Sequence, residues 1–159
     1  MDGGTIELSE RFPDWEACKV KLSPPRLAGT PLADIEGRAR QFHQDWPESG
    51  IQGMLANFEL REDGTVAPWL TFERHLLILR ALWEHHPSQR LPEIEAPVLL
   101  VPAGQAGWVA DKTASVEAAS ALLRKGRTAW MAGDHDLHAQ FPAEVATLFH
   151  DSVEDGFFT

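Results

Sequence analysis

The stretch Pro97-Val98-Leu99-Leu100-Val101-Pro102-Ala103 is short, continuously apolar and bounded by prolines. Strands buried on both faces carry such runs, whereas half-exposed antiparallel strands alternate apolar with polar residues. A buried parallel strand is therefore predicted over 97–103. Toward the C-terminus, residues 104–107 read as a loop. Residues 112–124 read as a helix that packs through Ala114, Val116, Ala118, Ala119, Leu122 and Leu123 and stops at Gly126. Thr128-Ala129-Trp130-Met131-Ala132 is a second short strand, residues 133–140 are the next loop, and Pro142 opens a last helix with Val145, Leu148 and Phe149 on one face. Strand, loop, helix, strand, loop, helix is a parallel α/β unit.

Toward the N-terminus the pattern changes kind. Residues 1–32 are rich in Gly, Pro and charge without a sustained period, and predict loops with one short helix around 15–22. A helix is expected over 33–45, with Ile35, Ala39 and Phe42 as a sparse stripe, ended by Trp46-Pro47 and Ser49-Gly50. A second is expected over 51–58, ahead of a turn at Glu62-Asp63-Gly64. Thr71 caps a stronger helix that runs to about His86. Leu76, Leu79, Arg80 and Trp83 fall near one face of it, while Leu77, Ile78, Ala81 and Leu82 widen the band and predict burial on more than one side. His85-His86 reads as a fraying polar end before Pro87. Two parallel strands are too few to use both faces of a sheet. Residues 97–103 and 128–132 are expected to expose apolar faces and an unpaired edge unless another segment or a second copy covers them.

Composition narrows the function classes. The 159 residues carry 14 Lys+Arg against 24 Asp+Glu, a formal charge of -10 and 43% hydrophobic residues, which fits one domain with a real core. The single Cys18 excludes a disulfide framework and any cysteine cluster, and favours the cytosol. Met1-Asp2-Gly3-Gly4 is neither basic nor apolar, and no long apolar run follows, so neither a signal peptide nor a membrane span is expected. Dispersed basic residues in an acidic chain argue against general nucleic-acid binding.

Reactive groups of open α/β sheets lie just outside the carboxyl ends of strands, where Gly133-Asp134-His135-Asp136-Leu137-His138 falls. His135 is a candidate general base on a short loop, and Asp134 and Asp136 either orient a ring or solvate the loop. The competing reading is a solvated surface histidine. Metal binding by His135, Asp136 and His138 lacks a zinc spacing and needs a distant ligand such as His85 or His86, so no metal and no cofactor are expected. No Gly-x-Ser-x-Gly, Walker or dinucleotide fingerprint occurs, and Gly104-Gln105-Ala106-Gly107 lacks the spacing for one. None of the serines sits in a strand-turn-helix elbow. Of the six tryptophans, Trp83 and Trp130 read as core residues. Trp108, on the loop after the first strand, is a candidate pocket wall, and Arg74 and His75 are candidates for the same pocket.

These residues resemble the C-terminal half of an α/β-hydrolase of the lipase, esterase and haloalkane dehalogenase-like kind. The resemblance rests on residues 91–101 as the approach to the seventh strand. It rests also on Gly133-Asp134-His135 through Phe141-Pro142 and Val145-Ala146 as the loop after the eighth strand with the final helix. It implies a partial α/β-hydrolase fold: residues 1–4 as the end of a core strand, 5–90 as a mainly helical cap or lid, and 91–159 as the C-terminal part of the core. It places the catalytic histidine at His135, not His138. The family's nucleophile elbow and oxyanion loop have no counterpart in this sequence. Its acid falls on Asp111, which comes late and can instead cap the helix from Lys112, or on Asp2, after the sixth strand as in some relatives. The resemblance implies hydrolysis of an ester or acyl substrate, with the chain incomplete and inactive alone. The partners implied are a small-molecule substrate in the complete protein, and an N-terminal half or a homo-oligomer. The alternative is a non-catalytic binding or oligomerising protein derived from a hydrolase.

Overall fold

Local signals shape each unit of the fold. The computed structural model describes residues 5–104 and 109–159, and the chain divides into a unit of Leu8–Glu84 and a unit of the residues up to Glu7 with His85–Thr159.

The first unit contains α1 (Leu8–Arg11), α2 (Trp15–Leu22), α3 (Leu32–Phe42), α4 (Glu48–Leu55), β1 (Phe58–Leu60), β2 (Val66–Pro68) and α5 (Phe72–Glu84). The Asp14 carboxylate accepts the Ala17 N–H at 2.8 Å and so caps α2. Pro31 and Pro47 stand immediately before α3 and α4, where their fixed φ sets the entry of the chain. Ser49-Gly50 therefore lies inside α4 and does not end a helix, which corrects the expectation of a start at residue 51. Phe58 is also no longer helical. It opens an antiparallel hairpin, β1 with β2, that the sequence did not predict. Gly64 turns it at φ 78°, and Asp63 Oδ1 accepts both the N–H and the hydroxyl of Thr65 at 2.9 and 2.7 Å. Those two bonds hold the Asp63 carboxyl below its ordinary pKa.

Helix α5 packs on α1 and α2. Trp83 Nε1 donates to the Phe12 carbonyl at 3.2 Å, and its ring stands 6.4 Å from that of Trp15. The broad band of α5 is not buried on two sides. Leu79 is buried, whereas Leu77 is 69% and Ile78 48% exposed, because α1 and α2 meet the helix on one side only. Arg40 joins α3 to α4, reaching both oxygens of Glu48 at 2.7 and 2.9 Å and Glu36 at 2.8 Å. Bonds from Arg40, then Gln52, push Glu48 down to about 2. The pair is exposed to water and adds little stability.

The second unit contains α6 (Pro87–Arg90), a 3₁₀ turn (Leu91–Glu93), β3 (Val98–Leu100), β4 (Ala103–Gly104), α7 (Val109–Leu122), β5 (Gly126–Thr128), β6 (Met131–Ala132), α8 (Leu137–Gln140) and α9 (Pro142–Glu154). β3 pairs with β5 and β4 with β6, both parallel. Bonds from Ala129 N–H to the Leu100 carbonyl (2.9 Å) and from Met131 N–H to the Pro102 carbonyl (3.1 Å) carry the ladder across the gap. The four short strands thus form two interrupted parallel ones, and Pro102, without an N–H, sits at the interruption. The second strand begins at Gly126, two residues before the expected start. Among the described residues β3 and β5 pair only with each other, so each keeps an unpaired edge. Leu91, Ala119 and Leu123 form a buried cluster against which Ile94, Val98 and Leu100 pack.

Four further expectations are corrected here. Trp130 is 38% exposed and not a core residue. Phe149 is 47% exposed, and the inner side of α9 carries Ser152 instead, whose hydroxyl donates to the Leu148 carbonyl at 2.8 Å. The loop predicted over 133–140 contains α8. His86 is not a frayed end: its Nδ1 lies 3.2 Å from Glu7 Oε2, while Ser88 N–H donates to Glu7 Oε1 at 2.9 Å. Because an ionised carboxylate only accepts, this contact is a hydrogen bond in the form of the ring that carries a proton on Nδ1. Glu7 thereby ties the start of the unit to the first turn of α6. Among the described residues no helix is long and apolar enough to cross a membrane.

Partial burial alone would raise the Glu7 carboxyl, but the bonds from Ser88 and His86 outweigh it and hold the group below its ordinary value. A lowered folded-state pKa means that this stabilisation is complete above the ordinary carboxylate range and is lost as pH falls through the folded pKa. Glu7→Ala is expected to cost about 1–3 kcal/mol at neutral pH, with a smaller difference from wild type in acid; urea unfolding at both pH values checks it. In the helical unit, an NMR titration is expected to place the Glu48 midpoint near 2 and, in Arg40→Met, to return it toward 4.5.

Candidate functional site

The parallel ladder places the ends of β4 and β6 side by side, and the chain leaves both strands at their carboxyl ends. Gly133 N–H donates to the Gly104 carbonyl at 3.3 Å, extending the ladder one step beyond β6. The next residues form the tight segment that carries His135. A Cβ on Gly133 would lie 2.7 Å from Gln140 Oε1, 2.8 Å from Leu137 Cδ2 and 2.8 Å from Phe141 Cε2. Glycine is therefore favoured here by close approach, not by φ, which is not positive. Asp134 N–H donates to Gln140 Oε1 at 2.6 Å. Asp136 is the N-cap residue of α8 without a side-chain capping bond. Its carbonyl instead accepts the N–H groups of Ala139 and Gln140 at 2.9 and 3.0 Å. Leu137 and Gln140 are buried, and His135 and His138 are exposed.

This arrangement places His135, an exposed residue, at the end of a parallel strand, on a loop whose backbone is held by the ladder on one side and by α8 on the other. An imidazole in that place is a candidate for proton transfer to and from a bound substrate. Nearby, Lys112 Nζ donates to the Ala103 carbonyl at 3.0 Å and ties the beginning of α7 to the end of the ladder. Sequence reading gave neither Lys112 nor Gln140 a role. The signal for Gln140 was present: with Leu137 and Phe141 it occupies positions i, i+3 and i+4, so a polar residue falls on the inward face of a short helix.

The other predicted site residues are distributed as follows. Arg74 and His75 are neighbours in the first turns of α5, in the helical unit, with Arg74 exposed and His75 half-buried. Thr71 Oγ1 accepts the Arg74 N–H at 3.4 Å, a long capping bond at the expected position. Asp111 is in the first turn of α7, which begins at Val109, so it is not the residue before a helix that starts at Lys112. Its side chain, Asp2 and Trp108 lie outside the described residues. Among the described residues no group of three or more His, Cys, Asp or Glu side chains could hold a metal ion. Cys18 is buried, and burial pushes its thiol pKa up, which disfavours the reactive thiolate.

Gly133→Ala is expected to destabilise the protein by about 1–3 kcal/mol through overpacking against Leu137, Gln140 and Phe141, read from the urea midpoint; an unchanged midpoint would contradict the close packing.

No protein-family model matches the sequence, and no curated protein does. Among solved structures the chain is similar to E-2-(acetamidomethylene)succinate hydrolase, an α/β-hydrolase, at 15% identity with a TM-score of 0.65. The alignment covers 88% of this chain and 52% of that protein, so the chain spans about half the length of the structure it matches. Shared geometry at so low an identity defines the fold and nothing finer: this chain has a partial α/β-hydrolase fold.

Proposed function

We propose that the chain carries the histidine-bearing, C-terminal part of an α/β-hydrolase that cleaves an ester or other acyl substrate, with His135 as its general base. The observation that carries this is the exposed His135 on the constrained loop that leaves β6, in a chain with a partial hydrolase fold. The nucleophile is supplied from outside these 159 residues, since none of their serines lies on an elbow. In the reaction the nucleophile's proton passes to His135 as its oxygen attacks the acyl carbon. The proton then goes to the departing alcohol, and water releases the acyl group by the same exchange. Asp2 or Asp111 orients the ring. Trp108, Arg74 and His75 are the proposed substrate contacts. On this proposal residues 1–4 end a core strand, 5–90 form the cap and 91–159 belong to the core. The single buried Cys18 suits the cytosol.

A second reading, a non-catalytic binding or oligomerising protein, is favoured by one observation. Phe42 (75%), Leu77 (69%) and Trp69 (61%) are strongly exposed, apolar surface that a partner would cover if it forms one patch.

A chromogenic acyl-ester assay separates the two. The 159-residue chain is expected to show no hydrolysis above His135→Ala, and joined to a segment bearing a nucleophile elbow it is expected to gain activity that His135→Ala removes. Turnover by the chain alone that depends on His135 would reject an external nucleophile. A complete enzyme insensitive to His135→Ala would reject His135 as its base and leave binding as the surviving account.

A further inference from the structure

Asp134 and Asp136 are residues that favour turns, but their type alone does not select one conformation for the backbone between β6 and α8. The backbone is fixed from the far side. Gln140, 6% exposed, turns its side-chain carbonyl back onto the Asp134 N–H six residues earlier, at 2.6 Å. This side-chain bond closes residues 134 to 140 into a small ring, and His135 is its second member. The rest of the ring is held by the α8 backbone, with Phe141 N–H donating to the Leu137 carbonyl at 2.7 Å. On the other side of the closure, Gly133 fits against the same Gln140 oxygen, where a Cβ would approach to 2.7 Å. From this place Gln140 sets the peptide immediately before the histidine.

We infer that Gln140 is a positioning residue for His135, acting through the Asp134 peptide; this rests on the proposal that His135 is the general base. A leucine at 140 keeps the approximate size of the buried side chain and removes the acceptor, leaving the Asp134 N–H without that bond. A glutamate keeps an oxygen in the same place whether or not it is ionised. The two variants therefore separate the bond from the packing.

The first experiment is amide exchange by NMR on the 159-residue chain. In Gln140→Leu the Asp134 amide is expected to exchange about tenfold faster or more, while Ala129, bonded to the Leu100 carbonyl in the ladder, changes little. The His135 backbone order parameter is expected to fall in the same variant. Gln140→Glu is expected to restore both readings. Unchanged Asp134 protection in Gln140→Leu overturns the proposal, as does equal acceleration at Asp134 and Ala129 that Gln140→Glu fails to reverse, because that pattern belongs to general core packing.

The second experiment is made in the assembled hydrolase. Gln140→Leu is expected to lower kcat with little change in KM, and Gln140→Glu to recover it. A change confined to KM counts against positioning of the base. If His135→Ala leaves hydrolysis intact, the functional reading fails while the exchange result at Asp134 still reports on the bond, so the two failures are distinguishable.

Discussion

Parallel pairing between residues 98–104 and 126–133 is the constraint on which the α/β unit depends. Parallel strands cannot be joined by a tight turn, so the chain must cross back over the face of the pair, and α7 makes that crossing. Ala119 and Leu123, late in the crossing, are what bury Val98 and Leu100. The same crossing decides where the loops fall, because two parallel strands release their chains at one end. His135 owes its place to this connectivity more than to any property of its own loop.

Much of this was legible from residue type. The proline-bounded run over 97–103 gave the parallel strand, and the α2 helix was read at its observed limits, Trp15–Leu22. These features are local, and the signals for them are local too. The losses have a common physical origin. The β1–β2 hairpin has three residues per strand, too few for an alternating pattern, and its pairing is fixed by the turn at Asp63 and Gly64. Trp130, Leu77 and Phe149 were judged by their apolar character, but burial depends on which face finds a partner.

The site was legible to a different depth. His135 was identifiable from its position after a strand, whereas the bond from Asp134 to Gln140 exists only once α8 has brought Gln140 back over the loop. No period in the sequence encodes such a closure. A polar residue on an inward helical face was the available clue, and it becomes interpretable when the backbone group that it serves is known. Asp2 and Asp111 were named from likeness to a family and Trp108 from its place on the loop after the first strand; the side chains of all three lie outside the described residues.

The Glu7 contact has a topological consequence. Glu7 bonds residues 79 and 81 positions further on, and just inside them Trp83 reaches the Phe12 carbonyl. The helical unit therefore leaves and rejoins the chain through neighbouring residues, like an inserted loop with its neck drawn shut. Closing a flexible loop of twice the length costs only about 0.6 kcal/mol more. A change of length inside such a neck therefore carries a small closure cost and leaves the bonds from Glu7 to His86 and Ser88 in place.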